Sequence, residues 1–176
     1  MVKEGDIIFL TKRSIKPKYR IFVSYMIALL TKQPGEKIKD VKVHSSIIYS
    51  NGGVLSVRDM DKNGDMHYTI GKYKQLYGDR LEVKAHCYKP SLDTLKKFNS
   101  SCRDFKVKYD YKNTFLYQVI RRLFGVFIND PTRYKRMCAE DAQRQFNLIE
   151  GIFYNPEKTN PNELYHVISH WKTVEL

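Results

Sequence analysis

The run Val41-Lys42-Val43-His44-Ser45-Ser46-Ile47-Ile48-Tyr49-Ser50 leads into Asn51-Gly52 and then into Val54 to Asp59. Two stretches rich in β-branched and apolar residues, joined by Asn-Gly, are the strongest short-range hairpin signal. Both residues tolerate the positive φ that a two-residue turn demands. An antiparallel strand pair, Val41 to Ser50 and Val54 to Asp59, is therefore predicted in the middle of the chain.

The rest of the chain supplies strands and helices in mixed order. Gly5 to Leu10 reads as a short buried strand. Pro17 suits the first turn of a helix running to about Lys32, closed by Pro34-Gly35. Asp61 to Asp65 is a turn, Met66 to Ile70 a strand, Gly71 to Tyr77 a short helix, and Leu81 to Tyr88 a strand ending at Pro90. Ser91 is an N-cap. Leu92, Leu95, Phe98, Cys102 and Phe105 then recur at helical spacing, which assigns Cys102 to the core. Thr114 to Phe127 is helical and Asn129-Asp130-Pro131 breaks it. A further helix begins near Cys138, carries Ala139, Ala142, Phe146 and Ile149 on one face, and stops before Gly151. Asn160 to Tyr165 opens a last short helix. This pattern predicts an α+β fold, a central antiparallel sheet with helices packed mainly on one side. No repeat or linker divides it, so residues 1–176 are read as a single domain.

The chain has 176 residues, 42% of them hydrophobic and 13% aromatic, which is enough to bury a core. The net charge of +12 favours anionic partners. The charge comes in separate small clusters: Lys12-Arg13, Lys16 to Arg20, Lys37 to Lys42, Lys106 to Lys108, Arg121-Arg122 and Arg133 to Arg136. These read as a solvated basic face, with no dedicated nucleic-acid motif. Three cysteines, an odd number without CxxC spacing, fit free thiols in a reducing compartment. No zinc-ligand pattern and no cofactor motif is visible. Met1 to Asp6 carries acids and no apolar core of a signal peptide, so a cytoplasmic protein is expected; the compact chain, rich in lysine and asparagine, would suit a viral or bacterial source. Ile21 to Leu30 is too short to cross a bilayer and reads as a core helix. Its basic flanks, Lys16, Lys18, Arg20 and Lys32, also suit a helix lying on a membrane surface.

One pair of residues points to chemistry. Cys138 stands where a helix begins, and exposed N–H groups with the positive helix end favour thiolate. His44, on a predicted strand beside small Ser45 and Ser46, can take and return a proton. Other pairings are weaker. His86 and Cys87 are adjacent on a strand and so point to opposite faces. His166 and His170 are four apart on the last helix but lack a third ligand, so no metal site is read.

Taken in order, Gly5-Asp6-Ile7-Ile8-Phe9, His44 to Tyr49, Tyr109-Asp110, Cys138-Ala139-Glu140 and Asn160 to Tyr165 resemble the circularly permuted NlpC-like branch of the papain-fold cysteine hydrolases, the branch of lecithin retinol acyltransferase. In that branch the His precedes the Cys, as here. The resemblance implies a permuted papain-like fold and a cysteine peptidase or amidase. Such an enzyme would cleave an amide, isopeptide or ester bond through an acyl-enzyme. An acyltransferase or thioesterase, and an inactive basic protein of the same fold that grips nucleic acid or an anionic membrane, are the alternatives. It also implies that Tyr109 and Asp110 line the pocket. The family sets a third polar residue on the strand after the His strand. A two-residue Asn51-Gly52 turn would place Asp59 opposite His44, whereas a bulge or longer turn would bring Ser56 there. Both remain candidates.

Overall fold

The computed structural model describes residues 1–11, 18–61, 64–78, 81–110, 116, 118–126, 135–150 and 159–176. Six strands form one sheet: β1 (Ile7–Thr11), β2 (Lys42–Asn51), β3 (Val54–Asp61), β4 (Gly64–Thr69), β5 (Leu81–Ala85) and β8 (Lys172–Val174). Their spatial order is β4-β3-β2-β1-β5-β8 and every neighbouring pair is antiparallel. Two short strands, β6 (Lys108–Tyr109) and β7 (Lys135–Arg136), pair in parallel beside it.

Period-two alternation sorts the core into two layers. Ile7 and Phe9 of β1 join Ile47 and Tyr49 of β2 on one face. That face is covered by α3 (Leu92–Asp104), α5 (Cys138–Glu150) and α6 (Pro161–Val167), which contribute Phe98, Ala142, Phe146 and Leu164. Ile8, Leu10, Ile48, Val57 and Val83 form the second layer, closed by Tyr73 of α2 (Ile70–Tyr77). The fold is α+β, with α3, α5 and α6 on one face of the sheet and α2 on the other. Two further helices, α1 (Lys18–Thr31) and α4 (Gln118–Phe124), pack against each other.

The chain departs from the predicted hairpin in one respect. Asn51 pairs with Val54, so the turn is Gly52-Gly53, not Asn51-Gly52. Both glycines have positive φ, 61° and 86°. Two glycines accept that geometry with no Cβ penalty, which lets Asn51 remain in the strand. Gly5 is a second place where only glycine fits. Its φ is 87°, and a Cβ there would run into Ile149 and the His86 ring.

Other boundaries moved little. β3 continues to Asp61 and β4 begins at Gly64, so Asp61, Gly64 and Asp65 of the predicted turn lie in strands, while Lys62 and Asn63 lie outside the described residues. The strand predicted to Tyr88 stops at Ala85. Ser91 accepts the Thr94 N–H at 3.2 Å as the N-cap of α3. On that helix Phe98 and Cys102 are buried, whereas Leu92 stands in solvent. Pro17, Asn129-Asp130-Pro131 and Gly151 lie outside the described residues, as do Lys12, Arg13, Lys16 and Arg133. Among the described residues no helix is long and apolar enough to cross a membrane.

Candidate active site

α5 begins at Cys138 because its first turn is capped from within. The Asp141 N–H donates to Met137 O at 2.9 Å. The Glu140 carboxylate accepts a backbone hydrogen bond from Met137, a device that satisfies an N–H otherwise orphaned at a helix start. Cys138 is only 3% exposed and packs with Met60, Val107 and Tyr109. Its backbone N–H and those next to it belong to the turn whose donors have no intrahelical acceptor.

His44 arrives from β2. Leu10 pairs with His44 but Thr11 pairs with Lys42, which leaves Val43 as a bulge directly before the histidine. Bulges re-aim the side chains next to them. The His44 side chain is 15% exposed. Its Nε2 bonds to Asp59 Oδ1 of β3. The same ring interacts with Cys138, which favours its charged form. With Nε2 spent on the carboxylate, Nδ1 is the nitrogen left for the sulfur.

The two candidates for the third residue separate cleanly. In the observed register Ile47 faces Arg58, so the next step along the ladder sets Ser46, not His44, opposite Asp59. The predicted direct pairing of His44 with Asp59 is thus off by two residues. A shift of two keeps every side chain on its face, so Asp59 still meets His44, on the diagonal. Ser56 does not. It pairs with Tyr49, and its hydroxyl donates to Val54 O at 3.3 Å.

Asp59 is held by more than the imidazole. Ser46 Oγ donates to its Oδ1 at 2.8 Å, the Met60 N–H at 2.8 Å, and Tyr77 Oη donates to Oδ2 at 3.3 Å. Ser46 also bonds Tyr73 Oη at 2.8 Å. Burial alone would raise the Asp59 pKa, but the His44 charge and these donors lower it. For His44, burial opposes the charged form. The Asp59 carboxylate and Cys138 outweigh it and lift the pKa well above 6.5. Burial, then Asp59, push the Tyr73 phenol well above its usual value, so it stays protonated as a donor.

The preceding residue of β3 fixes the cysteine. Arg58 is fully buried and points to the opposite face. Its Nε donates to Asp141 Oδ2 at 2.7 Å and its Nη1 to Cys102 O at 2.6 Å. Arg136 Nη1 reaches Asp141 Oδ1 at 3.1 Å. Asp141 lies one turn beyond Cys138, so this buried pair ties the start of α5 to β3. Arg58 and Asp59, neighbours in sequence, thus locate the thiol and the imidazole from opposite sides of one strand.

Tyr109 packs in the cluster that contains Cys138. Asp110 is buried and its N–H donates to Arg136 O at 3.0 Å. A groove between α3 and α5, lined by Phe105, Arg136, Arg144 and Leu148, contains none of the three central residues. Cys102 is core: burial raises its thiol pKa well above the ordinary range. His170 falls beyond the end of α6, so the predicted i, i+4 relation to His166 on one helix is not formed. His166 instead bonds Glu36 at 2.6 Å. Among the described residues no three His, Cys, Asp or Glu side chains cluster as metal ligands.

Sequence reasoning missed Ser46, Tyr73, Tyr77 and the Arg58–Asp141 pair. Ser46 had a signal, being two residues after His44 and hence on its face. Tyr73 and Tyr77 had another, an i, i+4 spacing on one helix. Arg58 and Asp141 had none, because their partnership spans 83 residues. The chain matches no protein-family model and no curated protein.

Proposed function

We propose that this chain is a cysteine hydrolase in which Cys138 is the nucleophile, His44 the general acid–base and Asp59 the residue that orients the imidazole. The observation that carries this reading is the convergence of a thiol at a helix start, an imidazole and a buried carboxylate. They come from α5, β2 and β3, with the His44 ring bonded to Asp59 and interacting with Cys138. The order of the elements, His strand before Cys helix around an antiparallel sheet, also supports kinship with the permuted papain-like hydrolases.

The chemistry follows from the geometry. His44 takes the Cys138 proton as the reaction begins, giving thiolate beside imidazolium. The thiolate attacks the carbonyl carbon of an amide or ester, forming a C–S bond. Backbone N–H groups at the start of α5 face the developing oxyanion. His44 returns its proton to the departing amine or alcohol as the C–N or C–O bond breaks. Water then attacks the thioester, giving its proton to His44, and the thiolate leaves. An amine or alcohol in place of water would make the same site a transferase. Asp59, fed by Ser46 and Met60, keeps its charge throughout and stabilises the imidazolium.

The test is the pH dependence of iodoacetamide labelling, located by peptide mapping, in wild type and His44→Ala. Selective labelling of Cys138 well below pH 8, lost with His44, is the expected result. Labelling no faster than that of Cys87 or Cys102 would refute the assignment.

A further inference from the structure

α4 is polar toward the body of the protein and apolar toward solvent. Arg121 Nη1 donates to Glu163 Oε2 at 2.9 Å, and Arg122 Nη1 donates to Lys32 O at 3.1 Å. Its arginines therefore pin the helix down, and Gln118 is its one buried residue. Leu123, Phe124 and Val126 are 69%, 71% and 53% exposed. A surface helix ordinarily does the reverse, burying Leu and Phe and showing Arg to water. Gly125, with φ of 68° and its N–H on Arg121 O, ends the helix and turns Val126 onto the same exposed stretch. The neighbouring α1 adds Tyr25 and Leu29, also exposed.

Charge narrows what this surface fits. Neither α1 nor α4 contains a single Asp or Glu. Arg122 is exposed at the junction of the two helices, next to Lys32, in a chain of net charge +12. A few adjacent apolar side chains on two helices that carry basic residues and no acids of their own have the composition of an interfacial anchor. Leu and Phe enter the boundary between headgroups and acyl chains, and Arg and Lys pair with anionic phosphates.

From this we propose that the α1–α4 surface docks the protein on an anionic phospholipid bilayer, with Leu123, Phe124 and Val126 inserted. The docking is independent of the thiol chemistry and leaves the chain peripheral to the membrane.

The full chain is tested by co-sedimentation with vesicles of phosphatidylcholine alone and of phosphatidylcholine mixed with phosphatidylglycerol. Wild type sediments with the mixed vesicles, releases as salt is raised, and stays in solution with the neutral ones. Leu123→Glu combined with Phe124→Glu weakens partitioning about tenfold or more. Phe124→Ser, a milder change, gives a smaller loss in the same direction. Leu92→Glu is the control, since Leu92 on α3 is 77% exposed and lies outside the α1–α4 surface; it binds as wild type does. Three results would overturn the proposal. One is no sedimentation of wild type with mixed vesicles. Another is unchanged binding by both α4 variants, or an equal loss with Leu92→Glu. The third is a wild-type dimer in sedimentation velocity that the α4 variants dissociate, which would show a second copy covering this face.

Discussion

Two buried aspartates each lie beside a histidine on this sheet, and their proton affinities have moved in opposite directions. Asp59 is lowered and its partner His44 raised, which is an ion pair. Asp6 is pushed up to about 6 by burial, against the Lys3 and His86 N–H bonds, and its neighbour His86 is lowered by burial. The difference lies in where the ring nitrogen is spent. His44 gives Nε2 to the carboxylate. His86 gives Nε2 to Glu4 O at 2.8 Å and stays 3.8 Å from Asp6. The rest of the His86 ring is packed by Phe146, Tyr88 and Trp171. The thiols differ too. Cys138 meets the His44 ring, whereas Cys87, next to His86 in sequence, is exposed. Adjacency in the chain did not bring Cys87 to the His86 ring, whereas Cys138, 94 residues away, acts on His44.

The sharpest way to break this contrast is to delete each ring. His44→Ala should slow alkylation of Cys138 at pH 7 by on the order of a hundredfold. His86→Ala should change it less than about threefold while costing about 2–4 kcal/mol in urea unfolding, through the cavity left among three aromatic rings. Equal effects on labelling would erase the distinction between the two pairs.

Next come the carboxylates. Asp59→Asn should slow labelling about tenfold and bring the His44 C2–H titration, followed by NMR, down toward 6.5. Asp6→Asn should leave both unchanged. Stability separates them by sign. The Asp59 contribution is present above 3.8, the usual carboxylate value, and is lost as pH falls through the lowered folded value. The linked His44 contribution is complete below 6.5 and fades as pH rises through its raised value. The gap between wild type and Asp59→Asn is therefore widest between those limits. Asp6 binds its proton more tightly when folded, so the gap between wild type and Asp6→Asn shrinks as pH rises from 3.8 to about 6. Urea midpoints at pH 3, 5 and 7 would expose parallel trends, should the two pairs be alike after all. The smallest effect belongs to Ser56→Ala. It should alter stability by less than about 0.5 kcal/mol and leave Cys138 labelling as it was, since only a weak local bond is lost.

Much of this was legible in the chain because β-alternation survives errors of two. The hairpin turn was displaced from Asn51-Gly52 to Gly52-Gly53, yet Asp59 stayed on the face of His44 and Ser56 did not reach it. The start of α5 at Cys138 was readable from Glu140 and Asp141 in its first turn. The strands β6, β7 and β8 were not, having only two or three residues and hence no period to detect. The Arg58–Asp141 pair was invisible for a different reason. A buried ion pair between distant segments leaves no local trace, and an Arg in a strand reads as surface until its partner is known.

The back-to-back placement of Arg58 and Asp59 also governs which length changes the chain tolerates. A single residue inserted between Val54 and Val57 would turn Arg58 toward the imidazole and Asp59 toward α5, setting like charges against each other at both ends. Insertions of two, or of one absorbed by a bulge, keep each side chain on its own face. Among homologous chains, indels in this strand should therefore occur in pairs, while the Gly52-Gly53 tip itself is free to lengthen.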